Sequence, residues 1–201
     1  MKIHPAMSDV PDSPEAFFTQ YIPARFDSVK GGLAGKTSNG SMTFRVLGAG
    51  EWSLRIKDGE LVVTSGMADD VVLQVTANQA DFGPIFVQGA VQQEGAPIGA
   101  EQQVLAFKVL TVDAERIKLV KGIVGSVAFV IDSDGTTHHL AITPGTQTPK
   151  LDDAECRLEV KMNDFMEMQT GKQNPMQLAM SGKIKIVGNA QIPMALSGVF
   201  V

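Results

Sequence analysis

The stretch from Asn163 to Asn189 constrains the fold more tightly than any other, because its punctuation leaves room only for short elements. Asn163 is expected to cap a helix by accepting a hydrogen bond from the free N–H groups of the following turn, and Asp164 suits the positive helix start. Gly171 supplies a left-handed stop that a side chain would resist. Asn174 and Pro175 restart the helix, since Pro at the first helical position gives up no needed donor. Gly182 ends it, and Lys183-Ile184-Lys185-Ile186 alternates as a strand before Gly188-Asn189. Two short helices in this order need a sheet to lie on.

Period-two patterns supply that sheet. Met42, Phe44 and Val46 alternate with polar neighbours, as do Trp52, Leu54 and Ile56. Asp58-Gly59 is a strong hairpin signal, and Leu61 to Thr64 and Val71 to Thr76 continue the meander. One buried and one wet face predict antiparallel pairing. Val127, Phe129 and Ile131 alternate again, Asp134-Gly135 turns the chain, and His138, Leu140 and Ile142 return it to the turn at Pro144-Gly145. Cys156, Leu158 and Val160 precede the Asn163 segment. Ahead of the first strands, Ser13 caps a helix with Pro14 at its first position, carrying Phe18, Tyr21, Ile22 and Val29 on one face and interrupted by Pro23. Asn78 caps a short helix through Asp81-Phe82 that Pro84 limits. Residues 88–102 read as a linker, followed by an amphipathic helix from about 102 to 121 through Leu105, Val109, Val112, Ile117 and Val120.

Each half therefore runs helix, strands, Asn-capped helix. Sliding by 85 positions pairs Gly40-Ser41 with Gly125-Ser126, Phe44 with Phe129, Val75 with Val160 and Asn78 with Asn163. The order Asp164-Phe165, Thr170-Gly171-Lys172, Asn174-Pro175, Gly182-Lys183-Ile184-Lys185-Ile186 and Gly188-Asn189 resembles the sterol carrier protein 2 (SCP2-like) family. The run Phe44-Arg45-Val46, Gly50 to Leu61, Val72 to Thr76 and Asp81-Phe82 is similar to the bacterial strand pattern of that family. No Gly-Lys-Ile-Lys-Ile-Val-Gly-Asn segment follows Phe82, so the first copy lacks its final strand. The resemblance implies an α+β fold, an antiparallel sheet covered by short helices and duplicated within the chain. The boundaries are a tail over 1–11, an incomplete unit over 12–96 and a complete one over 97–201. The open edge of the first sheet needs a cover, from the linker around Val87 to Val104, the second sheet or another subunit.

Composition narrows the function. A net charge of −5 argues against nucleic acid as the main partner. No apolar run reaches the length of a membrane span, and the first residues lack a signal-peptide core. Cys156 is the single cysteine, so a reducing compartment fits. The ending Gly198-Val199-Phe200-Val201 is not the peroxisomal address that eukaryotic members of the resembled family often carry, and by that resemblance a cytoplasmic location is expected.

Catalytic and metal motifs are sparse. His138 and His139 are strand neighbours whose rings point to opposite faces, so they do not chelate one ion, and both read as structural. Cys156 alternates with apolar positions and reads as buried and unreactive. Asp69-Asp70 and Asp152-Asp153 shape turns. The glycines form no dinucleotide or phosphate loop, and no Gly-x-Ser-x-Gly motif is present. No catalytic residue, metal ligand or cofactor is nominated.

The remaining constellation is apolar. The chain has ten Met and ten Phe against one Trp and one Tyr, with methionines crowded near the C terminus, Met166 among them. Flexible, polarizable Met suits irregular apolar shapes. The resemblance implies non-covalent carriage of a lipid or other apolar small molecule in a tunnel between sheet and helices. Met162, Phe165, Met168, Met176, Met180, Ile186, Met194 and Phe200 are the expected lining. The partner is an apolar small molecule of fatty acyl, sterol or isoprenoid type, and transient membrane contact and a homodimer are compatible with it. The alternative is a biosynthetic enzyme of cyclase or isomerase type that folds an apolar substrate in the same pocket.

Overall fold

The computed structural model describes residues 10–29, 35–90, 109–169, 172–173 and 175–200. Helix α1 (Pro14–Ala16) runs through a wide π turn over Phe17–Tyr21 into α2 (Ile22–Val29). Strands β1 (Ser41–Leu47), β2 (Gly50–Lys57), β3 (Glu60–Ser65) and β4 (Val71–Asn78) follow. Helix α3 (Gln79–Phe82) continues through a second wide turn over Gly83–Val87. After a short 3-10 turn at Val109–Thr111 come α4 (Ala114–Lys121), β5 (Val127–Ser133), β6 (Thr136–Pro144) and β7 (Cys156–Lys161). The described chain ends with α5 (Met162–Gln169), α6 (Pro175–Met180), β8 (Ile184–Gly188) and α7 (Gln191–Phe200).

Local chemistry explains most of these boundaries. The Ser13 hydroxyl accepts from Ala16 N at 3.4 Å and opens α1. Pro23 has no N–H for the Thr19 carbonyl, and the π turn widens the backbone just ahead of it. Asp58 and Gly59 hold φ of 53° and 83°, and Asp134 and Gly135 hold 51° and 88°, the positive pair that a tight two-residue hairpin needs. Asp113 accepts from Arg116 N at 2.8 Å, so α4 starts after it. The longer helix expected from about 102 is therefore interrupted, and residues 102–108 lie outside the described residues. The helical path beyond Phe82 outlasts the limit expected at Pro84, because the Pro ring falls at the start of the wide turn, where its missing donor is harmless. The 1–9 part of the expected tail, Gly31-Gly32 and the linker from 91 onward also lie outside the described residues, as do Gly171 and Asn174.

The eight strands of the described residues form one sheet in the order β3-β2-β1-β4-β6-β5-β7-β8. The expectation of wholly antiparallel pairing is corrected at two places: β4 runs parallel to β1, and β7 runs parallel to β5. Each hairpin's first strand takes a partner that returns only after a crossover, and such a return is parallel. The edge expected to lie open on the first half is closed by the second, since β6 pairs antiparallel with β4 from Leu73↔Pro144 to Ala77↔Leu140.

The internal slide of 85 holds for β1 and β5 but slips afterwards. Phe44 faces Val75, whereas Phe129 faces Leu158 rather than Val160. Strand β7 is shorter than β4, and α5 begins at Met162. Asn163 therefore stands inside the first turn of α5 and is not its cap.

The helices cover one face of the sheet. Under α4, α5, α6 and α7 lies an interior that includes Ile117, Val120, Phe165, Leu178, Ile192 and Leu196. Under α1 and α2 the interior is aromatic. Phe18 stacks on Trp52 at 5.0 Å between ring centroids, with Phe44, Phe82 and Phe86 around it. The other face is not wet at its centre, contrary to expectation. Ser53, Thr43, Gln74, Thr143 and Ser126 cross it as a buried polar row. Two connections close over that row. Ala68 N donates to Ser53 Oγ at 3.0 Å, and Gln74 Nε2 donates to the carbonyls of Gly145 and Gln147 at 2.8 Å each. Buried polar side chains persist here because the crossover loops satisfy them.

Candidate functional site

Side chains of neighbouring strands stand in rows on the helix-covered face. Ile184, Val160, Ile131 and His138 form one row. Ile186, Leu158, Phe129, Leu140, Ala77 and Val46 form the next. Helix α5 packs on β5 and β7 above these rows. Phe165 meets Phe129 edge to face, with centroids 5.4 Å apart. Met162 and Met166 are buried beside it, and Met168 packs against the same interior.

Three of the eight expected lining residues, Met162, Phe165 and Met168, thus come together. Met180, Met194 and Ile186 do not join them, at 83%, 47% and 37% exposed. Helix periodicity gives the reason. α6 turns Leu178 inward, which sends Met180 outward, and α7 buries Ile192 and Leu196, one turn apart, with Met194 on the other side. Ile186 belongs to β8, the edge strand, where its row ends. The side chains of Met176 and Phe200 lie outside the described residues.

The end of the first row carries a polar pair that sequence reading missed. His138 Nδ1 lies 2.9 Å from Asp81 Oδ1, and the two side chains are 11% and 8% exposed. Asn78 Nδ2 donates to Asp81 Oδ2 at 3.1 Å, so the expected cap residue orients a carboxyl group instead of capping with its side chain. The two partners are 57 positions apart, and only the β4–β6 pairing brings α3 to β6. No local signal announces such a pair. His139 points to the opposite face as expected, its Nδ1 3.8 Å from Asp152 Oδ1.

Ionic contacts fasten the margins of the site. Lys183 Nζ donates to Asp164 Oδ1 at 2.8 Å, joining the loop before β8 to the first turn of α5, and that hydrogen bond raises the Lys183 pKa. Lys185 does the same for Glu159 at 2.8 Å and lowers the carboxyl's pKa. Burial pushes the Cys156 thiol up, which disfavours a reactive thiolate. Glu155 is held down at about 2, chiefly by its hydrogen bond from Lys150 and then by the Ser126 N–H. A cleft of about 290 Å³ opens on the outer face beside Asp132, Glu159, Lys161 and Lys183, and its charged rim does not suit an apolar molecule. Among the described residues, no three His, Cys, Asp or Glu side chains are grouped to hold a metal ion. No described helix is long and apolar enough to cross a membrane.

Residues 106–201 match the family described as the SCP-2 sterol transfer family. Among solved structures, the chain is similar to sterol carrier protein 2 from Yarrowia lipolytica in its apo form. That alignment has 22% identity, covers 41% of this chain and 76% of that one, and has a TM-score of 0.32. The sterol carrier protein domain 2 of Helicoverpa armigera aligns at 22% identity over 53% of this chain and 90% of that one, with a TM-score of 0.37. Sterol carrier protein 2 like 2 from Aedes aegypti aligns at 13% identity over 47% and 98% of the two chains, with a TM-score of 0.31. No curated protein matches the chain.

Proposed function

We propose that this chain, whose residues 106–201 belong to the SCP-2 sterol transfer family, binds and carries a lipid or other apolar small molecule without covalent chemistry. The observation that carries this reading is the pair of rows beneath α5, nearly continuous in apolar side chains across β8, β7, β5 and β6. Burying a ligand there gains roughly 25 cal/mol per Å² of apolar surface, so a long chain or a polycycle needs few polar contacts. Met162, Met166 and Met168 give α5 a lining that reshapes at low cost. Short helices such as α5 and α6 separate from a sheet more cheaply than long ones, which supports entry of a ligand between helix and sheet. The first half is read as an incomplete copy of the same unit, with β6 standing where its own final strand would stand.

The test is a displacement titration with fluorescent fatty-acyl, sterol and isoprenoid probes. Saturable binding of at least one class is expected. Failure of every class to bind saturably would remove the proposal.

A further inference from the structure

The helix-covered rows do not end with the second half. Beyond β5 they pass onto β6, β4 and β1, and their cover changes there: α5 packs on β7 and β5, whereas α3 packs on β6, β4 and β1. The cover at this crossing is a first-half segment outside the family-matched residues 106–201. After α3 it becomes the wide turn over Gly83–Val87, closed by Gln88 N donating to the Gly83 carbonyl, and consecutive side chains of that turn serve different interiors. Ile85, 1% exposed, belongs to the interior of Ile131, Leu140, Phe165 and Met166. Phe86 packs against both interiors and stacks on Phe82 with centroids 5.4 Å apart. One turn beyond Ile85, the buried Gly89 faces α5. A Cβ there would stand 3.4 Å from Met166 Sδ and 3.3 Å from Gln169 Oε1, so the segment and α5 touch at this point. Past Phe86 the first-half interior is already filled by stacked rings, Phe18 on Trp52 among them.

We propose that Ile85 is the end wall of the apolar site and sets the length of the ligand held beneath α5. This rests on the carrier reading above and adds what limits ligand size. A chain lying along the row of Leu158, Phe129 and Leu140 has apolar side chains below it and α5 above it, and it meets Ile85 where the cover changes. Up to that point each further methylene is buried and tightens binding about fourfold. Past it a methylene must push Ile85 into the ring stack or stay in water. The ring stack resists, because an inserted methylene forces packed side chains off their rotamers. The gain per methylene therefore ends at a definite length. The incomplete first copy thus acts as the stop of its neighbour's site: Phe86 and the rings behind it keep the turn from yielding, and Gly89 lets α5 close against the segment.

Saturated fatty acids, each two carbons longer than the last, test this by displacing a pyrene-labelled acyl probe from the full chain. Wild-type affinity is expected to climb with length and then to break to a plateau or a fall. Ile85→Ala moves the break to a longer acid, and Ile85→Phe moves it to a shorter one. Ile56→Ala, which removes the same number of atoms from the first-half interior, leaves the break where it was. A merely structural Ile85 would weaken every length alike and leave the break in place. Thermal melts establish that each variant is folded, and if Ile85→Ala is not, Ile85→Val and Ile85→Phe decide by the direction of the shift. A break that stays in place in the folded Ile85 variants, or a wild-type affinity that climbs through the whole series, overturns the end wall and leaves apolar carriage standing. So does failure of the acids to bind where sterol or isoprenoid probes bind. Absence of saturable binding by every probe class overturns both.

Discussion

Glu155 shows how one side chain fastens several strands. Its Oε2 accepts from Ser126 N at 2.8 Å, its Oε1 takes the Lys150 ammonium, and its backbone carbonyl accepts from Asn189 N at 2.8 Å. It thereby ties the approach to β5 to the end of β8. Gly188 fits beside it only without a side chain, since its φ is +96° and a Cβ would stand 2.3 Å from the Glu155 carbonyl oxygen. The Gly188-Asn189 pair is legible in the sequence as strand-ending punctuation. The partner it accommodates is not, because the contact crosses the sheet. The sign of the pH effect follows from the depressed pKa. A carboxyl lowered from 4.5 to about 2 in the folded state contributes stability above its unfolded value, and that contribution is lost as pH falls towards 2. Glu155→Gln is therefore expected to melt below the wild type at neutral pH. The difference should shrink between pH 4.5 and 2, as read by circular dichroism melts. A difference independent of pH would mean that the carboxylate charge is not what holds these strands.

At the scale of elements, sequence and structure part company over which face of a short helix is buried. α6 has six residues, too few for periodicity to define a stripe, and both Leu178 and Met180 are apolar. Packing selects Leu178 and leaves Met180 in solvent. Leu178→Ala is expected to cost about 2–5 kcal/mol, the range for removing a buried Leu side chain. Met180→Ala should stay within about 0.5 kcal/mol, as at other exposed positions. Urea denaturation of the two variants checks this, and comparable losses would place both side chains in the interior. The two Asp-Gly hairpins, by contrast, were fully legible, because positive φ at both turn residues depends on local sterics alone. Asn163 falls inside α5 because β7 is shorter than β4, and the length of β7 depends on its pairing with β5.

Across the whole molecule, β4 and β6 form the seam. β4 completes the second half's sheet on one side, and β6 completes the first half's on the other. Gln74 of β4 also bonds to the loop after β6, and Asp81 to His138. A fragment starting at residue 106 loses β4 and bares one edge of β6, and bare edges invite pairing with other chains. It is expected to self-associate or stay unfolded at concentrations where the full chain unfolds in one cooperative step. Sedimentation velocity and melting curves distinguish these outcomes, and a monomeric, cooperatively folding fragment would show that the seam is dispensable.

Short-range physics controls the strand alternation, the hairpin turns, the short C-terminal helices, the burial of Cys156 and an α+β class with an apolar interior, and all of these were legible in the chain. Features that depend on partners distant in the chain emerged only in the folded molecule. The parallel returns of β4 and β7, the closing of the open edge by β6, and the outward turn of Met180 and Met194 all belong to that group. So does the junction of Asp81 with His138. Strand neighbours and helix faces are chosen by competition for buried area over the whole fold, and no window of the chain contains both competitors.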